Sequence, residues 1–572
     1  MTEPVSPLIM SYQNFALLVL CSGMISATAQ SANTQSTQKL MTEGRSHLAK
    51  GDLAAAQKSF RSVTKSQPAN LAAWHFLGYA LHAGGRPEQA LPAFMKAVAH
   101  PRLAAADSYN IACIHCLAGR LSQSLSWLEK AWRAGYRDLA HARKDADLAR
   151  AREQPAFQQL LQRLEAELIP FGDEVTVLHE IVGDQAGDQF GWVADNAGDV
   201  DGDGRNDIII GAPTVRRQGR VHGAVYIHSG RTGKRLFQIL GKPGDYLGNG
   251  VDGIGDVDGD GHADFTAGGP ATQQSGSGRI CVYSGKTGKL LASHAGDANG
   301  DRMGVEAAGI GDLNNDGIND YLAGAERHDG NGKDSGRIVI YSGRTHKAIA
   351  RLDGERAGDQ FGRAAEGSFA NGDGLLVVGA AKAGPQRRGR VYVYRGQDLK
   401  LAFTIEADST GAALGEMFVS IPGDLNGDSI PDVYASDWRN SAKGPNTGRV
   451  YLYSGKDGSQ ISVLTGAKGE GFGIGKAVAG DVDADGTPDL IIGAWQNSDT
   501  AKSAGKSYLV SGRSLRRIRE YGCQAAGDTF GFDATGLGDV NADGHPDLLI
   551  TSAYSTIKGP QTGRVFVISG KL

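Results

Sequence analysis

The stretch DVDGDGRNDIIIGAP, residues 199–213, decides how the rest of the chain is read. Its first nine residues hold aspartate at places one, three, five and nine and glycine at place six, and an apolar run follows directly. Oxygen side chains at alternate places of a turn converge on one point, the backbone carbonyl of place seven can join them, and the ninth residue closes the cage. The apolar run IIIGAP (208–213) reads as a strand, so the loop joins strands and not helices.

The form D-x-[DN]-x-D-[GS]-x-x-D recurs at 256–264, 312–320, 424–432, 481–489 and 539–547. The candidate ligands are Asp199, Asp201, Asp203 and Asp207 with the carbonyl of Arg205, and Asp256, Asp258, Asp260 and Asp264 with that of His262. The third and fifth units offer Asp312, Asn314, Asp316 and Asp320 with Ile318, and Asp424, Asn426, Asp428 and Asp432 with Ile430. The last two offer Asp481, Asp483, Asp485 and Asp489 with Thr487, and Asp539, Asn541, Asp543 and Asp547 with His545.

Hard oxygen donors in a flexible loop suit Ca²⁺ better than Mg²⁺, which demands a tighter octahedron, and transition metals would draw His or Cys. An EF-hand needs a bidentate Glu at place twelve, where this chain has Ile210, Ala267 or Ala323. The competing reading is a set of metal-free Asx-turns. Six loops in register weigh against it, because crowded carboxylates repel unless a cation neutralises them. The loops hold 21 carboxylates, and six Ca²⁺ would move the formal net charge from -4 to +8. Ser429 replaces the turn glycine in the fifth unit and is expected to weaken that site. The aligned stretch GSFANGDGL (367–375) lacks the ligands, so the fourth unit is expected to be metal-free.

The loops belong to a repeat of about 57 residues. One marker, G-R-V-Y-V-Y-S-G and its variants, ends at Gly230, Gly285, Gly343, Gly396, Gly455, Gly512 and Gly570. A second is GDQFG (187–191) or GDTFG (527–531), with Leu247, Met303 or Leu414 in place of Phe elsewhere. Seven units of about four short strands cannot stack as a helical solenoid, and a radial arrangement fits. Glycine, at 82 of 572 residues, supplies the many tight turns this requires. These units resemble the FG-GAP repeats of integrin α-subunit propellers, over roughly 400 residues. The resemblance implies an all-β seven-bladed propeller over 175–572 with metal loops, but not integrin signalling, since neither a membrane span nor an inserted ligand-binding domain is present. The seventh unit lacks a fourth strand, and residues 175–182 are expected to supply it beside 564–569, closing the ring.

Ahead of this lies an Ala- and Leu-rich, all-α region, 30–168, with a period of 34. Gly44, Gly78 and Ala112 fall in phase, as do Ala56, Ala90 and Ser124, and Phe60, Phe94 and Leu128. The small residues let paired helices approach and the large one fills the groove between pairs. The middle unit, with Trp74, Leu77, Gly78, Ala90, Phe94 and Ala97, resembles a tetratricopeptide repeat, and 131–161 reads as its helical cap. That phasing places Cys113 and Cys116 near a concave groove with His75, Tyr79, His82 and Tyr109 as contacts for a peptide or protein. Residues 1–29 read as a signal peptide, with the apolar run FALLVLCSGMI (15–25) and Ala27-Thr28-Ala29, and 169–174 as a linker.

The balanced charge gives neither a nucleic-acid footprint nor a polybasic membrane patch. The cysteine spacing supports no disulfide framework. No G-x-S-x-G, HExxH or Walker-type motif occurs. The chain is therefore expected to be a secreted, periplasmic or cell-surface Ca²⁺ protein that binds a protein or an extracellular polysaccharide and is not an enzyme. The alternative is a polysaccharide lyase or a hydrolase of phospholipase type that uses the same scaffold.

Overall fold

The computed structural model describes residues 31–100, 103–168, 170–172, 174–272 and 275–572. The segment read as a signal peptide lies outside them. The chain divides into two compact units, the first ending at Glu165 and the second beginning at Ala166.

The first unit is three helix pairs in series: Ser31–Ala49 with Leu53–Ser66, Leu71–Ala83 with Pro87–Ala97, and Ala104–Leu117 with Leu121–Arg133. Asp52 and Asn70 start helices by accepting the N–H groups of Ala55 and Ala73 at 3.0 and 3.1 Å, which satisfies donors the helix leaves open. The 34-residue phase is a packing rule made visible. A Cβ added at Gly78 would lie 2.8 Å from the Phe94 ring, so only glycine lets the two helices touch through that phenyl group. Ala56, Phe60, Ala90 and Phe94 are all fully buried. The cap consists of the short turns Leu139–Ala142, Ala146–Leu148 and Ala149–Arg152 and the helix Pro155–Leu168. Its Phe157, Leu161 and Leu164 pack against Leu128 and Trp132.

The groove reading needs correction. Cys113 and Cys116 are buried in that same core as free thiols, because the cap covers the face of Ala104–Leu117 that an uncapped repeat would leave open. Tyr109 is also buried, stacked 4.2 Å from Tyr136, with its hydroxyl donating to Asp145 at 2.7 Å. His75 meets Asp107 at 2.6 Å and His82 meets Asp147 at 2.8 Å. Of the four side chains expected to contact a peptide, Tyr79 alone stays well exposed, at 42%.

The second unit is built from short antiparallel strands. The first repeat is a four-stranded sheet of Ala194–Gly198, Asp207–Ala212, Ala224–His228 and Arg235–Leu240, with sequential strands as neighbours. Six further repeats follow this plan; the third and fourth share one eight-stranded sheet, and the first strand of the sixth is split into Phe472–Ile474 and Val478–Gly480. The second strand of each repeat is covered on both faces, which is why it reads as an unbroken apolar run such as IIIGA. The fourth, Arg235–Leu240 in the first repeat, is half exposed. The first strands touch one another in cyclic order: Ala194–Gly198, Val251–Gly255, Met303–Gly311, Phe361–Ala370, Val419–Gly423, Val478–Gly480, Ala534–Gly538, and back to Ala194–Gly198.

Closure occurs as the missing strand required. Val177–Val182 pairs antiparallel with Arg564–Ile568, with Val182 opposite Arg564 and Glu180 opposite Phe566. The packing begins earlier than residue 175. Phe171, inside the stretch read as a linker, is buried with its ring 5.1 Å from Phe530 and 5.2 Å from Phe566.

Candidate metal centres

Each aspartate loop joins the first and second strands of its repeat, and its own backbone amides organise its carboxylates. In the first loop Asp199 Oδ1 accepts the N–H groups of Gly202 and Asp203 at 2.8 and 3.0 Å, and Oδ2 accepts that of Gly204 at 2.9 Å. Asp203 Oδ1 accepts the N–H of Arg205 at 3.0 Å. The same fifth-place contact, to the N–H of place seven, recurs at His262, Ile318, Ile430, Thr487 and His545. The place-seven side chains of Arg205 and His262 turn away to the neighbouring loops, reaching the carbonyls of Asp539 and Val200 at 2.9 and 2.8 Å.

The ninth aspartate does more than close a cage. Asp207 is fully buried, its Oδ2 accepts the N–H groups of Val200 and Asp201, and its Oδ1 accepts that of Gly230 at 3.0 Å. Asp264, Asp320, Asp432, Asp489 and Asp547 hold Gly285, Gly343, Gly455, Gly512 and Gly570 in the same way. A side chain at Gly230 would strike the Asn206 carbonyl, 1.9 Å from an added Cβ, so the marker glycine is required by this contact. The constant offset between ninth aspartate and marker glycine, 23 residues in five loops and 21 in the second, was the signal for this lock. Burial pushes the carboxyls of Asp207, Asp264, Asp320 and Asp432 up to about 6, against the pull of those amides.

Carboxylate oxygens of Asp199, Asp201 and Asp203 lie within 4.8 Å of one another, as do those of Asp256, Asp258 and Asp260, and of Asp481, Asp483 and Asp489. Asp207 and Asp264 stand outside these groups, while Asp489, whose two oxygens accept backbone amides in the same way, lies within its own. In the third loop Asn314 Oδ1 is buried with no hydrogen-bond partner, while its Nδ2 donates to Asp320 at 3.3 Å. An oxygen-binding cation fits both observations: it neutralises the converging carboxylates and satisfies the orphaned amide oxygen. In the fourth repeat Phe361–Ala370 and Asp373–Ala380 join through the two residues Asn371 and Gly372, leaving no loop to hold an ion.

A second charged cluster sits where the first strands meet. Lys476 Nζ lies 2.5 Å from Asp195, 3.2 Å from Asp252 and 3.5 Å from Glu366. Glu306 and Asp533 also act on it or on its partners. Burial pushes the Glu306, Glu366 and Asp533 carboxyls up to about 7. Sequence reading missed this group; its trace is one acid on or beside the first strand of five repeats, within otherwise small or apolar residues.

Comparison with known proteins matches this geometry. The tetratricopeptide repeat family profile covers residues 41–111, an FG-GAP-like repeat profile covers 424–492, and the FG-GAP repeat profile covers 190–228 and 531–568. Similar curated proteins include integrin alpha-7 of Homo sapiens, 29% identical over 208 residues, which are 33% of this chain and 17% of that protein. Integrin alpha-V of Gallus gallus is 31% identical over 252 residues, 38% and 23% of the two chains. Integrin alpha pat-2 of Caenorhabditis briggsae is 31% identical over 229 residues, 34% and 18% of the two chains. The matched segments thus span about a fifth of those relatives. The chain carries tetratricopeptide repeats at its N-terminal side and FG-GAP repeats after them, and the integrin α similarity falls on the FG-GAP region. Among the described residues no helix is long and apolar enough to cross a membrane.

Proposed function

We propose that this is an exported Ca²⁺-binding interaction protein: a helical repeat array, residues 30–168, followed by a seven-bladed FG-GAP propeller, 175–572, whose six aspartate loops each hold one Ca²⁺. The observation that carries the reading is the convergence of carboxylate oxygens within 4.8 Å in loops that recur at the same place of different repeats. Cyclic contact of the seven first strands supports the propeller. The metal would be held by side chains at places one, three and five and by the place-seven carbonyl. The ninth aspartate locks the loop to the marker glycine, and it would share in ligation where its oxygen lies beside the others, as that of Asp489 lies beside those of Asp481 and Asp483.

The partner is a protein or a cell-surface polysaccharide. Half-exposed Trp192, Trp495 and Tyr554, with Phe532 beneath them, bring aromatic rings from three repeats within 5.1–6.4 Å of one another. Partly open aromatic clusters are the surfaces proteins use to bind. The test is retention of the full chain on cell-wall, matrix and polysaccharide fractions, with and without chelator. Saturable, calcium-dependent retention without product supports the reading; release of soluble sugar or lipid products would replace it with the enzyme alternative.

A further inference from the structure

The loop-bearing repeats share a feature that lies outside the loops. In each of the six, the marker glycine is followed by a basic residue: Arg231, Lys286, Arg344, Lys456, Arg513 or Lys571. In the fourth repeat, which has no loop, that place holds Gln397. The strand ahead of it, Arg390–Arg395, forms regardless, so the basic residue accompanies the loop and not the sheet.

In three repeats the side chain goes to the aspartate at place five, and in a fourth to that residue's carbonyl. Arg344 Nε lies 3.4 Å from Asp316 Oδ1, Arg513 Nε 3.6 Å from Asp485 Oδ2, and Arg231 Nη1 4.0 Å from Asp203 Oδ2. Lys286 Nζ donates to the Asp260 carbonyl at 3.4 Å. The three arginine side chains remain 53–64% exposed, and exposed pairs of this kind contribute little to folding. Stability therefore does not account for a basic residue that stands beside every loop and is paired with the place-five carboxylate in three of them. Electrostatics does: the place-five carboxylate is one of the ligands of the Ca²⁺ reading and converges with its neighbours in the first two loops, and a fixed positive charge beside it opposes a second one.

We propose that these basic residues are tethered counter-cations of the metal loops. Each neutralises the fifth carboxylate while its loop is empty, swings into solvent when a divalent cation enters, and so sets the affinity of that site. The proposal rests on the Ca²⁺ reading above and adds its tuning.

The test uses the full chain and the triple variant R231Q/R344Q/R513Q, which installs the residue the fourth repeat carries. A charge-matched control, K58Q/R61Q/K65Q, removes three exposed cations from the helix Leu53–Ser66. Calcium is titrated calorimetrically, and melting is followed in chelator. The expected result is three sites tightened by about three- to tenfold, melting without calcium close to the parent's, and control affinities equal to the parent's. Unchanged or weaker binding in the triple variant, or equal tightening in the control, overturns the proposal while leaving the Ca²⁺ reading intact. A parent that takes up no calcium overturns that reading, and the tuning with it.

Discussion

Arg564 and Glu180 are 384 residues apart in sequence and 2.8 Å apart in space. The guanidinium is fully buried, and its Nε and Nη2 donate to Asp528 at 3.0 and 2.8 Å. Glu180 lies on the strand that opens the ring and Arg564 on the strand that ends it. The closing ladder is thus clipped by one buried cation between two carboxylates, a geometry that offsets the cost of desolvating it.

Removing that clip should loosen the whole ring. Arg564→Met leaves Asp528 buried without its cation and is expected to cost about 3–5 kcal/mol, read as a fall in the urea midpoint of the strand-rich unit. Deleting residues 170–183 removes the closing strand and Phe171 together, and should destabilise every repeat rather than fray one edge. A parental midpoint for the deletion variant would contradict ring closure.

The ninth aspartate is expected to matter with and without metal. Asp264→Asn replaces an acceptor oxygen with an N–H₂ group facing backbone donors from Val257, Asp258 or Gly285, at a cost of about 1–3 kcal/mol. Melting in calcium and in chelator should both fall. A loss confined to calcium would reduce this residue to a ligand alone.

The cluster around Lys476 gives a pH dependence of definite sign. Because Glu306, Glu366 and Asp533 are raised to about 7 when folded, the native ring binds protons more readily than the unfolded chain, whose carboxyls titrate near about 4. Stability then falls as pH rises from about 4 to about 7 and levels off above. The buried ninth aspartates act in the same direction when no metal is bound. Melting in chelator should be higher at pH 6 than at pH 8. Lys476→Met removes the cation facing Asp195, Asp252 and Glu366, so it should destabilise the ring and steepen that slope; a flat profile in both proteins would contradict the cluster's electrostatics.

Much of this was legible because repetition overrides ambiguous local signals. Six loops in register and three positions recurring at 34 define architecture that a single copy would leave open, and the seventh repeat's missing strand predicted the pairing of Val177–Val182 with Arg564–Ile568. What stayed hidden depends on distant partners. Cys113 and Cys116 carry the pattern of a groove face, yet the cap's turns Ala146–Leu148 and Ala149–Arg152 lie against it, with the Ala151 N–H donating to Cys116 Sγ at 3.3 Å. Asp207 looks like any loop aspartate until the fold sets Gly230 against it. Lys476 and its carboxylates come from different repeats and meet only when the ring closes.

Calcium should stabilise one unit selectively. At ten times its dissociation constant each site adds roughly 1.4 kcal/mol to the native state. Chelation should therefore lower the transition of the strand-rich unit and leave the helical transition in place, as followed by circular dichroism at helix- and strand-sensitive wavelengths. Equal shifts in both transitions, or none, would contradict the placement of the ions.

The most direct measurement is elemental analysis of the full chain after desalting in calcium buffer. Six loops with ligands and one repeat without them predict about six Ca²⁺ per chain, with four or five marking weaker loops such as the one carrying Ser429. One ion or none would contradict the account.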